Sequence, residues 1–408
     1  MGFVAETTKS QNPVLSIGLA PMEGVTDFAT RLWYAKVYPP EFMSTPFFRV
    51  SSLNPSLQLA SKYFAGEFLC PSSCLSYKLL PQVMADTAEV FSVAAEQFLS
   101  LTDFVDLNCG CPSKTVTGRR AGSRLLEDAE HFAKFVTKVE TRLGKRKFSV
   151  KMRTGYAAEA TNFSELISSL QGVDLARVTV HGRTRLQKYT GCADWNLIAL
   201  ATKLSCEVFG SGDIVDLASL HRRIRQSPTI QGVIVGRGAL RNPWIFQELY
   251  TEKSVELSFT TLCLALQSFA VLQQVALVNP ELLVRWLDDG HFLVSCKNDE
   301  EKWQAFYQFI SSQCGGKLYC EAELKLDRRV LGRVKMLWNY MRSCLPQEFF
   351  GPEPLRSKDF TGFLAAIASF HQMWLQVNAM NKDAKLQLKH RKELDWVYAG
   401  AAVKKEAE

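Results

Sequence analysis

Residues 175–182 read LARVTVHG, a short apolar run that closes on a histidine and a glycine. Its length suits a single buried strand. The same pattern recurs through the first 245 residues, in VLSIGLAP (14–21), FMSTPF (42–47), FLCPSS (68–73) or LLPQVM (79–84), FVDLNC (104–109), FSVKMRTG (148–155), CEVFGSG (206–212) and GVIVGRG (232–238). Amphipathic stretches such as AEVFSVAAEQFLSLT (88–102) and AEHFAKFVTKVETRLG (129–144) lie between them. Strands alternating with helices imply parallel βαβ units. Eight such units predict an α/β fold, a closed (β/α)8 TIM barrel over residues 14–250, near the usual ~250 residues of that architecture.

Several of these runs end in chemically useful groups: Glu23, Gln82, Cys111, Lys151, His181, Ser211 and Arg237. Barrel enzymes build their sites at that edge. Taken singly, each is also what a solvated strand end looks like, so the weight lies in seven in succession. After Pro243 the strand signals stop. Helical patterns over 259–278, 328–345 and 360–379 predict a helical unit spanning 256–379. The acidic and aromatic segment from 279 to 327 breaks that pattern and is expected to be an insertion. The charged stretch 380–408 is expected to be a flexible tail.

Composition narrows the class. The chain has 408 residues, 47% hydrophobic and 22% charged, which excludes a disordered protein. A net charge of +7 permits a polyanionic partner without demanding one. Eleven cysteines, an odd number without regular spacing, fit a reducing compartment better than a disulfide scaffold. The opening MGFVAETTKSQNP lacks the apolar core of a secretory signal, and Glu6 stands where an N-myristoylation motif wants Ser or Thr. The most apolar stretch carries Gln267, Gln273 and Gln274, which predicts a core-facing helix rather than a membrane span. A cytoplasmic protein is expected.

Two glycine-bearing loops close the predicted barrel, FGSGDI (209–214) and VGRGAL (235–240). Glycine lets backbone N–H groups approach an anion, and the loops after the last two strands are the usual phosphate cradle of such barrels. No GxGxxG follows a first strand, so the phosphate is expected to belong to a prosthetic group such as FMN rather than to a Rossmann-bound dinucleotide. A lysine inside a barrel strand needs a partner, and Lys151 or His181 at the N1–C2=O edge of a flavin would stabilise its reduced form.

Cys109 and Cys111 flank a single glycine in DLNCGCPSK. A zinc pair is usually spaced more widely and would need a second pair nearby. A disulfide across one residue would be strained. Either both are small buried residues, or one is a functional thiol. Cys111, at the strand end before Pro112, is the candidate, because a thiol at its ordinary pKa is protonated at neutral pH and can act as an acid.

LAPMEGVTD (19–27), DLNCGCPSKTVTG (106–118), SVKMRTG (149–155), VTVHGRTRLQKYTGCADW (178–195) and VIVGRGALRNPWIF (233–246), in that order, resemble the tRNA-dihydrouridine synthases. NCGCPSKTV and APMEGV look most like the C-type bacterial members. The resemblance implies an FMN-bound barrel followed by a helical tRNA-binding region. It also implies reduction of the C5=C6 bond of a D-loop uridine, position 16 by tRNA convention with position 20 as the rival, with NADPH or NADH as electron donor and Cys111 protonating C5. By the same resemblance Pro21, Met22, Glu23, Gln82, Lys151, His181, Ser211, Gly212, Asp213, Gly236 and Arg237 would hold FMN. Ser211 stands where the family usually has Asn. Asn108 would touch the flipped uridine, and Arg183, Arg333 and Lys335 would meet RNA, the last two on a basic helix face with Arg328, Arg329 and Arg342. The alternative is an FMN-dependent barrel oxidoreductase acting on a small molecule, similar to dihydroorotate dehydrogenase, which would need no basic helical region.

Overall fold

The computed structural model describes residues 15–53, 67, 75–112, 121–157, 162–288, 301, 304–305, 326–378 and 385–387. Ten short strands make one all-parallel sheet. They are β1 Ser16–Leu19, β2 Phe42–Ser44, β3 Phe48–Arg49, β4 Lys78–Leu80, β5 Gln82–Met84, β6 Val105–Cys109, β7 Phe148–Arg153, β8 Arg177–His181, β9 Glu207–Ser211 and β10 Gly232–Val235.

Two pairs of these are halves of a single stave. β2 runs on into β3, and β4 into β5 across Pro81. Proline has no N–H to give the ladder, so pairing lapses there. Thr45 bridges the lapse, its N–H donating to Leu80 O at 3.0 Å while its Oγ1 accepts from Gln82 N at 3.0 Å. Counted this way there are eight staves. β10 pairs with β1, Ser16 opposite Gly232, so the barrel closes. The third stave is the stretch around LLPQVM; the competing FLCPSS lies outside the described residues.

Strand alternation sorts the side chains. On β6, Val105, Leu107 and Cys109 join the core shared with the surrounding helices, whereas Asp106 and Asn108 turn into the barrel. The barrel floor is apolar, with Ala20, Phe42, Leu80, Phe209 and Ile234 in one cluster. Gly18 makes room there, since a Cβ on it would fall 2.3 Å from the Phe42 ring. The Arg177 guanidinium lies 3.8 Å from the Phe209 ring centroid and 4.5 Å from that of Phe42, and it pairs with Glu207 at 3.1 Å. The inward polar groups stand above this floor, toward the C-terminal ends of the strands.

The helical unit packs directly on the barrel, and the two share one hydrophobic core. Helix Phe259–Val278 lies against helix Phe28–Val37, with Trp33 Nε1 donating to Ala265 O at 3.0 Å. This helix is long and apolar enough to cross a membrane, yet 67% of its most apolar window is buried within the protein. Its glutamines are used internally. Gln273 Nε2 donates to Thr30 Oγ1 at 3.0 Å, and Gln274 Oε1 accepts from Asp327 N at 2.9 Å. Helices Arg328–Met341 and Phe360–Val377 complete the unit, joined by an edge-on contact of Trp338 and Phe363.

Two sequence expectations need correction. The predicted insertion begins with a helix, Pro280–Asp288, whose Leu283 belongs to the main core. Residues 280–288 therefore continue the helical unit, and most of the rest of the insertion lies outside the described residues. Nor is the tail wholly loose. Leu386–Gln387 pairs antiparallel with Glu256–Leu257, and Leu386 is buried, because an apolar side chain beside an open strand edge gains from both contacts.

Candidate active site

The C-terminal ends of the staves surround a cavity of about 430 Å3. That volume is in the range of cofactor pockets, roughly 300–1,000 Å3. Cys111, Asn108, Gln82, Lys151, His181, Pro21, Met22, Glu23, Ser211, Gly212, Asp213, Gly236 and Arg237 all line it. The barrel thus gathers thirteen of the residues that the sequence nominates for the site.

The two cysteines part company here. Cys109 faces outward, is fully buried, and has its thiol pKa pushed well up by burial. Cys111, two residues on and past the strand end, is half-buried on the cavity wall. Its backbone is fixed on both sides. Its N–H donates to Asn108 Oδ1 at 2.9 Å, and its carbonyl accepts from Ser123 Oγ at 2.7 Å.

Lys151 projects from β7 into the cavity, where no described residue accepts a hydrogen bond from its ammonium. Burial, reinforced by the neighbouring Arg153, lowers its pKa to about 8. The His181 pKa is held well below its usual value, first by burial and then by the charges of Arg153, Lys151, Arg183 and Arg237. The imidazole is therefore neutral at pH 7, and its buried Nδ1 has no protein partner among the described residues. A cation and a neutral ring, both short of acceptors or donors, call for a ligand with its own polar edge.

At the other end the two glycine loops touch. A Cβ on Gly238 would fall 2.0 Å from Ile214 O. The first of these loops uses left-handed backbone at Gly212 (φ 118°) and Asp213 (φ 57°). With Arg237 on the same wall, this corner fits a phosphate. A lysine ammonium and a histidine Nδ1 without partners among the described residues, with a glycine-lined anion corner in the same cavity, together fit FMN.

Arg183 does not reach RNA. It is fully buried, paired with Asp213 at 2.8 Å, and donates to Gly191 O at 2.6 Å. It braces the 190–193 loop against the phosphate corner, and its partner, thirty residues away in sequence, leaves no local signal. Arg333 and Lys335 are likewise committed to their own chain. Arg333 pairs with Asp27 at 3.0 Å, and the Lys335 ammonium donates to Ser357 O. Arg342 donates to Phe350 O at 3.1 Å. Only Arg328 and Arg329 of that basic face are exposed.

Three residues of the cavity escape the sequence reading. Arg153 sits two positions after Lys151 and shares its inward face, a parity that the sequence does carry. Its Nε donates to Gly110 O at 2.8 Å and its Nη1 to Lys188 O at 2.8 Å, strapping the cysteine loop to the loop opposite. Tyr189, on that opposite loop, lies 4.0 Å beneath the Arg237 guanidinium. Tyr340 arrives from the helical unit, and only tertiary packing brings it to the cavity.

Residues 18–277 match the family described as Dihydrouridine synthase (Dus). A "Probable tRNA-dihydrouridine synthase" of Rhodobacter capsulatus is 33% identical over 245 residues, which is 60% of this chain and 72% of that one. A protein of the same name from Rickettsia conorii is 31% identical over 57% of this chain and 69% of its own. A "tRNA-dihydrouridine(47) synthase" of Coprinopsis cinerea is 35% identical over 44% of this chain but only 28% of its own length. Among solved structures, morphinone reductase overlays with a TM-score of 0.42 at 11% identity, covering 59% of this chain and 86% of that one, too loosely to argue from.

Proposed function

The chain belongs to the dihydrouridine synthase family, and on that premise we propose how its cavity works. It reduces the C5=C6 bond of a uridine in tRNA, with FMN as prosthetic group and NADPH or NADH as electron donor. The observation that carries this reading is one cavity holding Cys111, Asn108, a Lys151 without a hydrogen-bond acceptor among the described residues and a neutral His181 above a glycine-lined anion corner.

Reduced FMN, when bound, supplies the hydride that uracil C6 accepts. The rest is work for side chains. Loops 211–214 and 235–238 would hold the phosphate. Lys151 would donate to the N1–C2=O edge and hold negative charge there, while His181, being neutral, would add a hydrogen bond without adding charge. Pro21, Met22, Glu23 and Gln82 border the same space. The uridine must leave its stack to reach a cavity at the barrel mouth. Hydride addition at C6 builds electron density toward C5 and O4, and Cys111 supplies the proton. Its S–H bond breaks as the C5–H bond forms. The thiolate left behind stands in the field of Lys151 and Arg153 until solvent returns a proton. In sum, one hydride and one proton join the base, and NAD(P)H leaves as NAD(P)+.

We place the reaction at D-loop position 16, on the C-type likeness of APMEGV and NCGCPSKTV, in the cytoplasm. The tRNA backbone meets the exposed start of helix Arg328–Met341. The test is Cys111→Ala. It should keep FMN and tRNA binding while dihydrouridine formation falls by about 10^2- to 10^4-fold, the usual worth of a general acid. Unchanged turnover removes Cys111 as the acid, and a colourless protein that cannot be reconstituted removes the cofactor. Mapping dihydrouridine in tRNA treated with the enzyme fixes the position.

A further inference from the structure

Beneath Cys111 runs a chain of buried hydrogen bonds with a definite direction. Ser149 Oγ donates to Asp106 Oδ1 at 2.6 Å, and Gln82 Nε2 donates to Asp106 Oδ2 at 2.6 Å. Asn108 Nδ2 donates to Gln82 Oε1 at 2.7 Å. Asn108 Oδ1 then accepts the backbone N–H groups of Gly110 at 3.0 Å and Cys111 at 2.9 Å. None of the four residues whose side chains form it is more than 7% exposed. The barrel itself assembles them. Asp106 and Asn108 are two apart on β6 and share its inner face, and Asp106 is the register partner of both Gln82 on β5 and Ser149 on β7.

A carboxamide fills nearly the same volume whichever way round it sits; only its donors and acceptors differ. Asp106 breaks that tie. Both its oxygens accept, so Gln82 presents its NH2 to Asp106 and its oxygen to Asn108. Asn108 must then give its NH2 to Gln82, which leaves its oxygen for the two backbone N–H groups. Were the relay reversed, the Asn108 NH2 would face two N–H donors, and the start of the cysteine loop would lose its tether. Burial pushes the Asp106 pKa up, while the bonds from Ser149 and Gln82 and the charges of Lys151 and Arg177 pull it back.

We propose that Asp106 is a positioning residue, which sets the direction of the Gln82–Asn108 relay and thereby where the Cys111 thiol stands over the cavity. The inference rests on Cys111 being the acid. It also assigns Ser149 a specific part. A hydroxyl can donate or accept, so in Asp106→Asn the new NH2 can turn to Ser149 and keep its oxygen toward Gln82. In Ser149→Ala the Asp106 carboxylate still sets the direction. Only when both are replaced does the Asn NH2 find its partner in Gln82 alone, and the relay reverses.

The experiment compares wild type, Ser149→Ala, Asp106→Asn, the double variant and Cys111→Ala, all FMN-loaded. One readout is the rate at which tRNA reoxidises enzyme that NADPH has reduced. The other, independent of turnover, is iodoacetamide alkylation of Cys111 followed by peptide mass spectrometry, with exposed Cys192 as internal standard. Each single variant should lose no more than about threefold, and the double should slow reoxidation by about 10- to 100-fold, the cost of a misplaced reacting group. The double variant should also change the Cys111 alkylation rate but not that of Cys192, and leave flavin reduction by NADPH as in the singles. A double variant equal to the product of the singles in both readouts overturns the inference. If Cys111→Ala reoxidises at the wild-type rate, the proposed acid is wrong. A dead Cys111→Ala beside a merely additive double overturns the positioning alone. Asp106→Leu, which removes the acceptor while keeping the branched outline of the side chain, carries the same expectation should the double variant not fold.

Discussion

Arg333 clasps Asp27 across the junction of barrel and helical unit, its Nη2 standing 3.0 Å from Asp27 Oδ2. The same guanidinium donates to Gly24 O at 3.0 Å and Val25 O at 2.9 Å. Asp27 in turn caps helix Phe28–Val37, accepting from Thr30 N at 3.0 Å. The turn so held carries Met22 and Glu23 on the cavity wall. A residue that looks like a phosphate contact in sequence is thus a brace for the cofactor side of the site. Arg333→Ala should weaken FMN binding about fivefold, equivalent to about 1 kcal/mol for a partly exposed charged bond, with Arg333→Lys recovering part. Flavin titration of the apo-protein reads this directly. Unaltered FMN affinity together with a shallower salt dependence of tRNA binding would return Arg333 to the RNA.

On the function proposed above, the RNA contact would fall instead to Arg328 and Arg329. Both are exposed, and Arg329 pairs with the neighbouring Asp327 at 3.0 Å. An exposed pair of this kind holds the side chain weakly, so a phosphate can take it over. Reversing both charges to Glu should weaken tRNA binding and reduce the slope of log affinity against log salt by roughly 0.7–0.9 for each phosphate no longer neutralised. NADPH oxidation without tRNA should be unaffected. A slope identical to wild type would place the RNA on another face.

Periodicity alone made the barrel legible, because parallel strands buried on both sides read as continuous apolar runs. The two glycine loops that meet on the cavity wall were equally plain, since their glycines are local. The choice between Cys109 and Cys111 needed parity as well as spacing. Cys109 shares the outward face of Val105 and Leu107, whereas Cys111 lies beyond the strand. What could not be read was where long cations end. Arg183 and Arg333 both read as RNA contacts in sequence, yet their partners, Asp213 and Asp27, come from distant segments. Tyr340 enters the cavity for the same nonlocal reason.

Gly238 tests the phosphate corner without touching any charge. Its Cα lies so near the 214 carbonyl that a methyl group would overlap backbone, not a movable side chain. Gly238→Ala should therefore push helix Arg237–Arg241 away from loop 211–214 and cut FMN affinity by at least about tenfold, with a stability loss of about 1–3 kcal/mol from overpacking. Gly332→Ala is the control, since nothing lies within 4 Å of a Cβ there. Equal FMN affinity in the two variants would mean the loops need not touch to bind the cofactor.

Lys151 gives the apo-protein a pH signature of definite sign. Its pKa falls from 10.5 to about 8 on folding, chiefly through burial. Below pH 8 both folded and unfolded chains hold the proton, and the folded chain bears the cost of a buried charge. Between pH 8 and 10.5 the unfolded chain keeps a proton that the folded chain has released, so stability rises with pH across that window and this group's destabilisation is greatest below pH 8. Relative to the chain with Lys151 uncharged, the wild type gains nothing above pH 10.5 and is penalised, by up to about 3 kcal/mol, as pH falls through that window. Lys151→Met removes the effect. Urea unfolding of the apo-protein should therefore show wild type less stable than Lys151→Met near pH 7 by a margin that narrows as pH approaches 10. With FMN bound, the polar edge of the ring keeps the ammonium charged, the folded pKa climbs back, and the narrowing should disappear. A margin independent of pH in the apo-protein would show that the Lys151 charge is already satisfied within the chain, and its role as the flavin's partner would fall with it.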